Sequence, residues 1–125
     1  MAQPTLLSIA KADLITANHN VTSDNRFIKH QAAYLTQQSV EKTLKYLISL
    51  NGKNCWGHDI RKLVIVARQL DIYVPDLIVE KADAITSWEA NARYYPTKII
   101  RRDVIRKVIR EVHKWHKGLA NKGIR

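Results

Sequence analysis

Apolar residues recur along this chain at steps of three and four rather than in strict alternation, and this spacing restricts the fold more than any other feature. A face repeating every 3.6 residues can be buried only by a helix packed on other helices. Leu7, Ala10, Leu14 and Ala17 give such a face over about residues 5–18. The polar run NHNVTSDN ends it, and Ser23 or Asp24 is placed to cap the next helix. A long second helix is expected over about 25–50. Ala33, Val40, Leu44 and Leu47 form its stripe, Ile28, Ala32 and Leu35 flank its start, and Gly52 closes it. Ile60, Leu63, Val64, Ala67 and Leu70 mark a third helix from about Asp59 to Leu70. Pro75 suits the first turn of a short fourth helix carrying Leu77, Ala84 and Trp88. After NARYYP a fifth begins near Thr97, with a seam of Ile105, Val108, Val112 and Leu119.

Five helices with short connections predict an all-α fold: an antiparallel four-helix up-and-down bundle with an extra short helix. The 125 residues form one domain, 1–125, with 119–125 expected to be a frayed tail. A hydrophobic share of 46% is enough for one core. A single cysteine, Cys55, excludes an intramolecular disulfide. No apolar run approaches the roughly 18 residues of a membrane span, and no signal peptide opens the chain, so a cytoplasmic protein with no membrane partner is expected.

The net charge of +10 is concentrated at one end. Residues 98–125 carry ten Lys and Arg against Asp103 and Glu111 alone, so +8 of the +10 lies there. Acidic partners should meet that end. On a helix, Arg102, Arg106, Arg110, His113 and Lys117 fall on one stripe, at steps of four, four, three and four. Such a stripe is the solvated back of an amphipathic helix or a surface for phosphate, and pairs such as Lys107 with Glu111 suit the former. Five like-signed groups without an intervening acid repel one another until an anion neutralises them, which suits the latter.

Four stretches in order carry a resemblance: KADLITA, then HQAAYLTQQSVEKTLKYLISLNGK, then HDIRKLV, then ITSWEANARYYP. Together they resemble the HEPN domain over about residues 8–117. The resemblance implies a small helical bundle that pairs as a homodimer. It also implies a place beside a minimal nucleotidyltransferase in a prokaryotic toxin–antitoxin or defence module. Some members are metal-independent RNases that use an Arg followed, after four to six residues, by a His; others bind nucleotide or act as scaffolds. Two pairs here have that spacing, Arg106 with His113 and Arg110 with His116, although Lys107 and Glu111 stand where RNase members commonly have Asn. A seven-residue step keeps Arg106 and His113 on one helix face, so they are the candidate catalytic pair. His would take the proton of a ribose 2′-hydroxyl, and Arg would hold the charge building on phosphate.

RNA or a nucleotide is the expected ligand, bound through Arg102, Arg110 and Lys117. Arg93, Tyr94 and Tyr95 at the ARYYP turn would add stacking and a phosphate contact. The rivals are a metal-independent RNase toxin and a non-catalytic interaction subunit docking an acidic protein. His113 with His116 and Cys55 with His58 have spacings that could suggest zinc, but neither completes a ligand set, so no metal and no cofactor are expected. Trp56, Trp88 and Trp115 are expected in the core or at a dimer interface, and His58-Asp59 reads as a helix start.

Overall fold

The computed structural model describes residues 5–95 and 97–125. Six helices form among them, and no strand: α1 (Leu6–Asn20), α2 (Arg26–Leu50), α3 (Ile60–Gln69), α4 (Asp76–Glu80), α5 (Ala82–Tyr94) and α6 (Arg102–Asn121). The all-helical expectation holds. The central element is α2, which packs against α1, α3, α5 and α6. Its position follows from its composition. Small buried residues (Ala32, Ala33, Ser39, Thr43) alternate with Val40, Leu44, Leu47 and Ile48, so neighbouring backbones approach closely on more than one side. Against α1 the approach is tight enough for the Ser39 hydroxyl to donate to the Ala10 carbonyl at 2.7 Å, and Lys42 bridges to Asp13 at the rim.

Several local expectations correspond to the structure. Leu7, Ala10, Leu14 and Ala17 are all buried, as is the seam Ile105, Val108, Val112 and Leu119. Asp59 caps α3, its Oδ1 accepting from the amides of Arg61 and Lys62. Gly52 follows α2 with φ +74°, the left-handed geometry that lacks strain only without a Cβ. Other expectations are corrected. Asn25, not Ser23 or Asp24, caps α2, its Oδ1 accepting from Phe27 and Ile28. Ser23 instead accepts from the Asn25 amide and shapes the turn leading in. Ile28 is exposed, while Leu35 and Leu70 are only half-buried.

The expected fourth helix is two. Lys81, at φ −96° and ψ 10°, leaves helical geometry between α4 and α5. The two pieces lean on different partners, α4 on α6 and α5 on α2 and α3, and one straight axis cannot serve both. The inward residues are accordingly Ile78, Ala82, Ile85 and Trp88, with Leu77 half-buried and Ala84 exposed. This makes α5 a bundle member and α4 the elaboration.

The last helix starts at Arg102 rather than near Thr97. Ile100, 3% exposed, anchors the incoming segment to the core before the helix begins. Pro96, the last residue of the NARYYP stretch, lies outside the described residues. At its far end α6 continues to Asn121, with Leu119 buried and Ile124 packed on the core where a frayed tail was expected. No helix among the described residues is long and apolar enough to cross a membrane.

Candidate nucleic-acid interface on the last helix

Helix α6 carries two chemistries around its circumference. Ile105, Val108, Ile109, Val112, Trp115, His116 and Leu119 face the core. Arg106, Lys107, Arg110, His113, Lys114 and Lys117 face outward and are exposed. Among the described residues, none of these outward groups has a carboxylate within the 4.0 Å of an ion pair. The Lys107–Glu111 pair that helix spacing permits is therefore not formed.

Arg102 stands apart from the rest of the stripe. It is half-buried, and its guanidinium donates to the Ser23 carbonyl at 2.8 Å, tying the start of α6 to the α1–α2 turn. The free ridge thus begins one turn later, at Arg106. Arg101, the residue before the helix, pairs bidentately with Asp103 at 3.2 and 3.1 Å.

Beside the ridge, α1 and α6 leave a groove of about 420 Å³ lined by Leu14, Ile15, Asn18, His19, Ile109, Arg110, His113 and Lys114. Its floor is apolar and its rim is cationic or imidazole. Of the expected catalytic pair, His113 lines this groove, and Arg106 sits on the same helix face without lining it. Arg110 is the arginine that shares the groove with His113. Asn18 and His19 are functional candidates that sequence reasoning missed, because the NHN run reads as the end of the first helix. The usable signal was spacing: each lies four residues after a groove residue, Leu14 or Ile15, on the extended α1.

The second spaced pair, Arg110 with His116, is not brought together on the surface. His116 is 5% exposed, and its Nε2 lies 2.9 Å from the Thr43 hydroxyl. That hydroxyl already donates to the Ser39 carbonyl, so His116 must donate from Nε2 to the Thr43 oxygen. Burial, with smaller contributions from the charges of Lys11 and His113, lowers its pKa to about 4. This imidazole is a neutral core group. His113 is exposed while His116 is buried and committed to Thr43, so the two offer no joint metal site.

Arg93 and Tyr94 lie elsewhere. They border a separate cleft of about 490 Å³ with His58, Asp59, Thr86, Glu89 and Ala90, sharing no lining residue with the α6 groove. Arg93 lies over the Tyr94 ring, 5.3 Å from its centroid, and pairs with Glu89 at 3.4 Å. Tyr95 is exposed and lines neither opening. Of the tryptophans, Trp88 and Trp115 are core residues, whereas Trp56 is 88% exposed.

Comparison with known proteins agrees with this architecture. The crystal structure of TT1696 from Thermus thermophilus superimposes with a TM-score of 0.72 at 23% identity, covering 94% of each chain, which shows a shared fold. No curated protein matches the sequence. The family model described as the HEPN domain matches residues 4–119, nearly the whole chain. With that match over a bundle of this architecture, the chain belongs to the HEPN domain family.

Proposed function

We propose that this HEPN domain binds RNA or a nucleotide through the outward face of α6 and the groove between α6 and α1. The supporting observation is the set of cations at Arg106, Lys107, Arg110, Lys114 and Lys117, none paired with a carboxylate among the described residues, beside an apolar floor of Leu14, Ile15 and Ile109. A phosphate neutralises such groups, and an apolar floor accepts a base or ribose face. The wall at Arg93 and Tyr94 is a separate surface, so the ligand is held by α6 and α1. Within the family reading the chain works as a homodimer beside a minimal nucleotidyltransferase. Light scattering at micromolar concentration checks the first point, and the neighbouring gene checks the second.

Binding of a fluorescent single-stranded RNA, titrated at several salt concentrations, tests the proposal. Affinity should fall steeply as salt rises. Absence of binding at low salt would remove the phosphate reading and leave the ridge as a docking face for an acidic protein. The RNase reading has one observation in its favour: His113 is exposed in the same groove as Arg110 and His19. Cleavage of mixed RNA in chelator, lost in His113→Ala, would establish it.

A further inference from the structure

The cleft beside α5 has a different chemistry, and its key residue carries no signal in the linear chain. Glu41, in the middle of α2, is 4% exposed. A carboxylate this buried must be matched by donors. Its Oε1 accepts from the Gln37 side-chain amide at 3.1 Å and lies 2.8 Å from Nδ1 of His58, while Lys45 approaches its Oε2 at 3.4 Å. His58 comes from the segment between α2 and α3 and is itself exposed to the cleft. From the opposite wall, α5 contributes Glu89, whose carboxylate pairs with Arg93 at 3.4 Å. One ligand atom each from Glu41, His58 and Glu89 lie within 4.8 Å of one another.

Two carboxylates therefore converge on one imidazole, and one of the carboxylates is buried. Lys45 approaches the Glu41 oxygen that does not meet His58, and Arg93 pairs with Glu89. Asp59, next to His58, is committed to capping α3 and does not join the set. Three ligating side chains from three separate elements, each fixed by a further hydrogen bond or ion pair or by the short contact to its neighbour, are what a first shell and its support require. We infer that Glu41, His58 and Glu89 form a binding site for one divalent transition ion of the zinc class. Ligands 2.0–2.2 Å from a tetrahedral ion stand about 3.4 Å apart, so binding must widen the 2.8 Å contact between His58 and Glu41 while keeping Glu89 within reach. The ion takes the place between the imidazole nitrogen and Glu41 Oε1, the two carboxylates balance its charge, and His58 ligates as the neutral ring. The fourth position opens on the cleft, facing Arg93, Thr86 and Tyr94. The inference is independent of the α6 groove.

The test is titration of the untagged, chelator-treated full chain with zinc chloride by calorimetry, and with cobalt chloride by visible absorption. The expected result is one ion per chain, with cobalt bands of a nitrogen and oxygen site and no thiolate charge-transfer band. His58→Ala and Glu89→Gln change residues outside the core, so both should fold, and each should lower affinity roughly tenfold or more. Cys55→Ser and the double variant His19→Ala, His113→Ala should bind as the unaltered protein does. The inference is overturned by absence of stoichiometric binding. Unchanged affinity in His58→Ala and Glu89→Gln, or loss of binding in either control, overturns it equally.

Discussion

His113 and His116 stand three residues apart on α6, one outward among Arg110, Lys114 and Lys117, the other inward between Trp115 and Leu119. The outward face leaves its cations open to solvent, without carboxylate partners among the described residues. The inward face holds the His116 ring with a hydrogen bond from Nε2 to Thr43 and keeps it neutral. An unpaired charge in water costs little and attracts anions at long range, whereas a charged ring in the core is costly, so a buried imidazole stays neutral. The same residue type is thus open to solvent at one position and packed in the core three residues on. Exposure and partners, not identity, decide which.

The largest expected effect breaks the outward half of this comparison. Changing Arg106, Arg110 and Lys114 together to Gln should lower single-stranded RNA affinity about 100-fold at 0.1 M salt and reduce the salt slope by about 2, since each phosphate contact contributes about 0.7. A matching titration of the unaltered protein supplies the reference slope. Unchanged binding would show that these groups meet no phosphate.

The inward half is tested by pH. His116 has its pKa lowered to about 4 in the fold, against 6.5 when unfolded. Above pH 6.5 the ring is neutral in both states and its native environment contributes in full. As pH falls below 6.5, the unfolded chain takes up a proton that the folded chain refuses until about pH 4, so stability drops through that window by roughly 3 kcal/mol in total. His30, also buried and lowered mainly by burial, acts in the same direction. Urea unfolding at pH 7 and pH 5 measures the loss, and His116→Gln should shrink the difference between the two.

Exchanging single histidines sharpens the contrast. His116→Ala should destabilise by about 2 kcal/mol, from a lost hydrogen bond and an unfilled space beside Thr43. His113→Ala, on an exposed helical position, should change stability by less than about 0.5 kcal/mol. If the protein cleaves RNA, His113→Ala should abolish cleavage, which should persist in chelator. Retained cleavage in His113→Ala would remove the assignment.

Arg102 gives the smallest effect. It belongs to the stripe by spacing but not by exposure, because its guanidinium is used on Ser23. Arg102→Gln should cost about 1 kcal/mol of stability and leave the salt slope of RNA binding unchanged. A flattened slope would return Arg102 to the ligand surface.

Much of this molecule could be read residue by residue, because the determining physics is local. Helical periodicity placed Leu7, Ala10, Leu14 and Ala17 inward, Asp59 stood where a helix start needs an acceptor, and the cation-rich last helix was visible from composition alone. The ordered motifs of the HEPN family, residues 4–119 in the match, were also written in the linear chain. Only the packed bundle decided the rest. His116 occupies an inward position four residues after Val112 and three before Leu119, but which of several near-equivalent faces α2 covers depends on where the helices dock. The break at Lys81 answers the separate partners of α4 and α5, and the late start of α6 follows from the anchoring of Ile100. Glu41 reads as one more acid on a polar stretch of α2 until the fold brings His58 and Glu89 to it from two other elements. Periodicity is fixed by bonds between near neighbours, whereas a cleft is assembled from residues far apart in the chain, and only tertiary packing determines which of them meet.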